Sequence, residues 1–458
     1  ADGTLQTMSA QAFKQGLGDA GEAAATNGIT TGLALTGGTL ALQDASYNMK
    51  YVVDAEKVIA EADGHTRLAM LGTLKSGNLV FGSQGKGEDV GNAEEVPSTS
   101  VSLGKIDLVG GDTIMINGGQ AITIRGDGEK LITSDSGNVK LLVGSKDNGA
   151  GTLNLGDAGL TSGGSLDGTL SIADESTVTV RAGMFSISTM EGTSSSAITI
   201  GTAQNAGGLT VGKASLNGAN VFLDPAWKDG GNLVSDASIG VFESFANGAV
   251  DGRFAVGRNS LLVLGDKDSA WAQKAVQDAL DNADLTWGKD SVTAALAIKS
   301  SQKLSASGAL LVDGSLAAAP SVTENTATFA GQSLLVVNAA AADGEGALQG
   351  DGTSRLSVDG GAKLHIMDVK GSQEYTVTSG FVNDKIEGWQ GDDLIVSRLF
   401  NAAVNTDDGK FVVKTEAKRP DEFSQYAIPN TLAGIASGNV NNPDAAGVHF
   451  LSGLMDSE

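Results

Sequence analysis

From about Gly38 to Val369 a Gly or Asp turn is followed by three to five residues of Leu, Val, Ile and Thr, and then the phrase returns. It reads GTLAL at Gly38–Leu42, GNLVFG at Gly77–Gly82, GTLNLG at Gly151–Gly156, SLLVLG at Ser260–Gly265 and SLLVVN at Ser333–Asn338. One copy cannot bury its own apolar residues, whereas stacked copies cover one another, which is the logic of a β-solenoid. The pattern predicts strands at Val101–Val109, Thr113–Ile116, Ala121–Ile124, Val139–Val143, Thr177–Arg181, Ala197–Ile200, Leu209–Val211 and Val221–Leu223. Returns spaced at roughly 20 residues or a small multiple suit a coil of three short strands and three corners. A sandwich would need longer strands with strict in–out alternation. The predicted class is therefore all-β, a right-handed parallel β-helix forming an elongated rod.

Two segments depart from the pattern. Ala, Gln, Lys and Glu between Ser9 and about Ala25 predict a short helix or loose cap over the first coil. Further on, Asp268 and Ser269 open a segment in which Ala272, Val276, Ala279, Leu280 and Ala283 share one helical face. That predicts a helical insertion over about 268–287, bracketed by Trp271 and Trp287. The expected organisation is an N-terminal cap at 1–31, the main β-helix at 32–325, its final rungs at 326–415 and an exit linker at 416–458.

Composition sharpens this picture. There are 64 glycines against 6 prolines, so the corners are glycine-made. A net charge of −24 would repel phosphate and argues against a nucleic-acid partner. The chain has no cysteine, which removes thiol nucleophiles, disulfides and thiolate metal sites. No run approaches the roughly 18 apolar residues of a spanning helix. No signal-peptide pattern is present, and the opening Ala1-Asp2-Gly3 is compatible with a processed start.

The C-terminal third carries a resemblance. RLSVDGGAKLHI at Arg355–Ile366, EYTVTSGF at Glu374–Phe381 and GWQGDDLIVSRLFNAAV at Gly388–Val404 resemble the last rungs and hairpin cap of a Gram-negative autotransporter passenger. In that family this region is the autochaperone. NNPDAAGVHFLSGLMDSE at Asn441–Glu458 is similar to the start of the helical linker into the β-barrel. The resemblance implies a chain displayed at or released from the cell surface, with membrane attachment only through a barrel absent from this sequence. It also accounts for the missing cysteines, because disulfides would obstruct export through a narrow pore.

Candidate chemistry is sparse. His65, His365 and His449 are far apart, without metal-binding spacing, so no metal or cofactor is expected. Ser134-Asp-Ser-Gly137 has the look of a serine-protease block without its leading Gly, and Asp313-Gly-Ser-Leu316 is a scrambled esterase block; both read as turns. Acidic pairs at Glu94-Glu95, Asp392-Asp393 and Asp407-Asp408 cannot be placed across a scissile bond. Gly126–Glu129 and Gly350–Thr353 could lend oxygens to calcium but belong to no repeating calcium motif.

The binding candidates are Arg125-Gly126-Asp127, expected on an exposed corner where an integrin could read it, and the aromatic residues Trp227, Trp271 and Trp287. The expected function is that of a non-enzymatic surface adhesin for a host extracellular-matrix protein or glycan. Self-association in cell aggregation and a glycan-cleaving β-helix are the alternatives.

Overall fold

The computed structural model describes residues 99–418, apart from 109–110, 117, 127, 136, 148, 158–161, 224–236, 288–291 and 408. Before residue 99 it describes the strands Thr4–Ser9, Thr31–Thr36, Thr39–Leu42, Ser46–Met49, Val52–Ala60, Arg67–Met70 and Thr73–Phe81. Strands dominate and run parallel, as a β-helix requires, in two compact units, Ala1–Phe222 and Leu223–Glu458. The first strand, Thr4–Ser9, pairs antiparallel with Thr31–Thr36. Ser9 thus lies in a strand and does not open the predicted helix; the rest of that prediction, to about Ala25, falls outside the described residues.

In the first unit one sheet stacks Thr99–Leu103, Gln120–Ile124, Thr152–Leu155, Thr177–Val180 and Ala197–Ile200 in parallel register. The pleat sends alternate residues inward, so Ile122, Leu153, Val178 and Ile198 form one internal column. Ile124, Leu155, Val180 and Ile200 form a second. All eight are buried, each worth about 1.5–3 kcal/mol relative to exposure. No column member is covered unless the coils above and below keep register.

The other face of the coil differs from the prediction of three separate short strands. Lys130–Ser134 and Val139–Val143 each pair with a different half of the ten-residue strand Gly163–Ile172. Gly183–Glu191 and Gly207–Ser215 continue the long form. A register shift between Leu166 and Thr169 bends the strand, so two sides of the coil become one continuous segment. Gly168 sits at the bend, where an added Cβ would run into the Val139 carbonyl of the coil below. Close approach makes glycine necessary there.

The second unit keeps three sides. Ser238–Phe242, Ser260–Leu264, Ala294–Ile298, Ser333–Asn338, Lys363–Met367 and Leu394–Ile395 form one parallel sheet. Arg253–Val256, Ala309–Val312, Thr326–Phe329, Arg355–Val358 and Val382–Ile386 form the second. The third starts with Gln302–Lys303, Leu348–Gln349 and Glu374–Ser379 in parallel. It is closed by an antiparallel hairpin of Phe400–Asp407 and Lys410–Ala417. This hairpin lies in the segment whose sequence suggested a cap.

The helical insertion forms as expected. Helix α1 spans Ser269–Asn282, and the Asp268 side chain accepts from the Ala270 N–H at 2.7 Å. Ala272, Ala275, Val276, Ala279 and Leu280 cover the outward face of the first sheet, where Leu261, Val263, Ala295, Ala297, Leu334 and Val336 lie in register. Burial on both faces explains why Ser260–Leu264 and Ala294–Ile298 are buried at every position.

Beneath the hairpin, Trp389 is fully buried, 4.8 Å from the Phe329 ring and 5.3 Å from the Phe411 ring. Its φ of +60° is costly for a bulky residue, so packing must hold it there. Trp389→Ala is expected to lose about 3–5 kcal/mol in urea unfolding of the second unit, with accelerated amide exchange in Lys410–Ala417.

One interior position breaks the aliphatic rule. Gln120 is 1 % exposed on the same inward side as Ile122 and Ile124, and neither atom of its amide has a hydrogen-bond partner. A buried unpaired amide costs about 1–3 kcal/mol. Gln120→Leu is therefore expected to stabilise the first unit by roughly that amount, whereas Leu153→Ala in the adjacent column should cost about 2–5 kcal/mol. Denaturant midpoints for both variants check the pair.

Candidate functional site

The outward side of Gly163–Ile172, Gly183–Glu191 and Gly207–Ser215 forms a polar surface in the first unit. Strand alternation puts Phe185, Ile187 and Met190 inside and leaves Ser186, Ser188 and Glu191 exposed. Parallel pairing then lines up Ser165, Ser186 and Thr210 in one row, and Thr169, Thr189 and Lys213 in another. A third row holds Ser171, Glu191 and Ser215, with the Ser171 hydroxyl donating to Glu191 at 2.8 Å. Lys130 pairs with Asp167 at 3.2 Å beside the first row. Met184 is 55 % exposed at the start of the middle strand and lies against Gly208 of the next coil. The surface is a lattice of hydroxyls and charges at the strand spacing of about 4.8 Å.

The second unit has a shallow cleft of about 320 Å³ lined by Asn383, Asp384, Lys385, Ile386, Gln390, Thr406 and Gly409. It opens beside Val382–Ile386, which among the described residues pairs only with Arg355–Val358. An open strand edge invites foreign strands, and this one is blunted. A register shift interrupts it, Lys385 and Asp384 stand on it, and the Gln390 amide donates to the Ile386 carbonyl at 3.1 Å. Lys385 is paired with Glu387 at 3.0 Å, which raises its pKa further, and Asp384 with Arg355 at 3.4 Å. Replacing Lys385 by Val together with Gln390→Ala is expected to raise the mean molar mass above that of the parent chain, read by light scattering at matched concentration.

The exposed placement expected of Arg125 and Gly126 is not what the structure shows. Arg125 is 7 % exposed and Gly126 is buried, so the tripeptide does not begin on an exposed corner. Gly126 accepts no side chain because an added Cβ would strike the Gly163 carbonyl of the next coil, and its φ is +71°. Asp127 lies outside the described residues. So does Trp227, with the whole of 224–236.

Trp271 is half-buried against the sheet, with the Lys299 ammonium 5.6 Å from its ring centre, and Lys299 in turn pairs with Asp266 at 2.5 Å. Trp287 is half-buried, and its indole N–H donates to Asn259 at 2.8 Å. The two tryptophans anchor the insertion rather than standing free.

The loops that sequence offered for chemistry have mostly spent their polar atoms. One Asp351 oxygen accepts from the backbone N–H and hydroxyl of both Thr353 and Ser354, holding that carboxyl well below its usual pKa. Asp313 takes the Ser315 N–H and hydroxyl, and the Ser134 hydroxyl donates to the Gly111 carbonyl at 2.9 Å. Asp393 is paired with Lys363 at 2.8 Å, whereas Glu94, Glu95 and Asp408 fall outside the described residues. His65, Ser136 and His449 do as well. Among the described residues no group of three or more His, Asp and Glu side chains converges as a metal site.

Comparison with known proteins found no matching family model, characterised protein or solved structure.

Proposed function

We propose that this chain is the passenger of an autotransporter, acting at the surface of a Gram-negative bacterium as an adhesin for a host matrix protein or glycan. The observation that carries the reading is the in-register lattice of Ser, Thr, Lys, Asp and Glu over the long strands 163–215. Each contact with such a surface is weak, but repetition on successive coils adds them by avidity. Rigid parallel stacking keeps the row spacing fixed, so little backbone ordering is required on binding. Binding through charged rows on a chain of net charge −24 is expected to depend on salt.

Displaying the chain on a non-adherent bacterium tests the reading. Expected is binding to matrix-coated or epithelial surfaces, reduced at least tenfold by the combined variant Ser186→Arg, Ser188→Arg and Thr210→Arg. Those outward positions should each change stability by less than about 0.5 kcal/mol. Settling of the displaying cells without host binding would replace the adhesin with self-association, and release of glycan fragments would replace it with an enzyme.

A further inference from the structure

His365 occupies an unusual place in the second unit. Strand register puts it opposite Val336 on one side and Ile395 on the other, on the outward face that α1 covers. It is 3 % exposed. Its Nδ1 lies 3.2 Å from the Ile395 carbonyl oxygen, so the neutral ring donates there with Nδ1–H. The strand receiving that bond, Leu394–Ile395, is two residues long. Helix α1 packs through Ala272, Ala275, Val276, Ala279 and Leu280, and at its C-terminal end Arg398 donates to the Asp281 carbonyl at 3.3 Å. The short strand is therefore lightly attached beside this imidazole, and Asp278 of α1 is near enough to act on the ring.

We propose that His365 is an acid-sensitive latch, whose protonation releases α1 and Leu394–Ile395 from the sheet and uncovers the apolar face of Leu261, Val263, Ala295, Ala297, Leu334 and Val336. The charged groups facing the ring are Asp278 from α1 and Asp368 just beyond the end of its own strand. Lys363, two residues earlier on the same face, is paired with Asp393 next to the short strand. Asp278 is also tied to Lys274 at 2.8 Å, and Asp368 accepts from the Asn338 amide at 2.8 Å. Neither acid is free to turn fully to an imidazolium. Burial pushes the His365 pKa down to about 4, against smaller opposing effects of the Ile395 bond and the two acids. In the released state the ring regains an ordinary pKa near 6.5. Above that pH both states are neutral and docking is unaffected. Below it the released state takes the proton first, so docking weakens by up to tenfold per pH unit until about pH 4, where the docked state also protonates.

Hydrogen exchange on the full chain, corrected for intrinsic rates, tests the latch. Peptides covering 269–282 and 394–395 should exchange at least a hundredfold faster at pH 4 than at pH 6.5, while Thr177–Val180 in the other unit should show no such change. His365→Phe should abolish the acid dependence. The idea is overturned by a flat profile in the parent chain, or by an unchanged acid response in His365→Phe. Should that variant fail to fold, the ring titration of His365 by NMR decides, because an ordinary midpoint near 6.5 in the folded chain removes the mechanism and a depressed one supports it.

Discussion

Register is the constraint on which both units depend. In a globular core a buried leucine can find neighbours in many directions, but here it finds them almost entirely in the coil before and the coil after. Ile122, Leu153, Val178 and Ile198 are buried because four separate strands agree on the same alternation. A slip of one residue in any of them would turn its apolar set to solvent and its Thr or Ser set inward. The sequence meets this demand, at corners and at the bend of a long strand, with glycine where backbones of adjacent coils nearly touch. Gly126 and Gly168 illustrate it, each facing a carbonyl of a neighbouring coil with no room for a Cβ.

Stacking of this kind leaves two problems, and the second unit answers both at its last coils. The internal columns must end, and Trp389 fills the end with Phe329 and Phe411 against it. The backbone must also stop offering hydrogen bonds. One sheet ends by turning antiparallel into the Phe400–Ala417 hairpin, and another ends in a bulged, charged edge whose Ile386 carbonyl is occupied by Gln390. The devices differ because a hairpin can cover only one side of a three-sided coil.

Most of the fold was legible because period and turn chemistry are local signals. Seven of the eight predicted strands form, and the eighth, Val101–Val109, breaks at Gly104 into Thr99–Leu103 and Lys105–Leu108 in different sheets. The Asp268 cap and helical face of α1 are where the residues put them. What escaped depended on tertiary coverage. Leu-Leu-Val occurs at Leu141–Val143 and at Leu261–Val263, and nothing within the triplets separates them. In the first, the outward Leu142 stays half-exposed; in the second, the outward Leu261 and Val263 are fully buried under α1. The strand Gly183–Glu191 was missed for the opposite reason, since Ser186, Ser188 and Thr189 dilute its apolar signal on the solvent side.

Candidate sites were less legible for a physical reason. A tripeptide such as Arg125-Gly126-Asp127 reports its own chemistry but not where the next coil passes, and the next coil decides whether its arginine can be reached. His365 is the same argument in reverse. Its neighbours in sequence, Leu364 and Ile366, mark only a strand. Its buried state comes from Val336 and Ile395, each about 30 residues away in the chain, and from a helix some 90 residues before it. In a stacked fold, the environment of a side chain is written mainly in the coils that flank it. Chemistry at such a position can therefore be recognised only after the register is known.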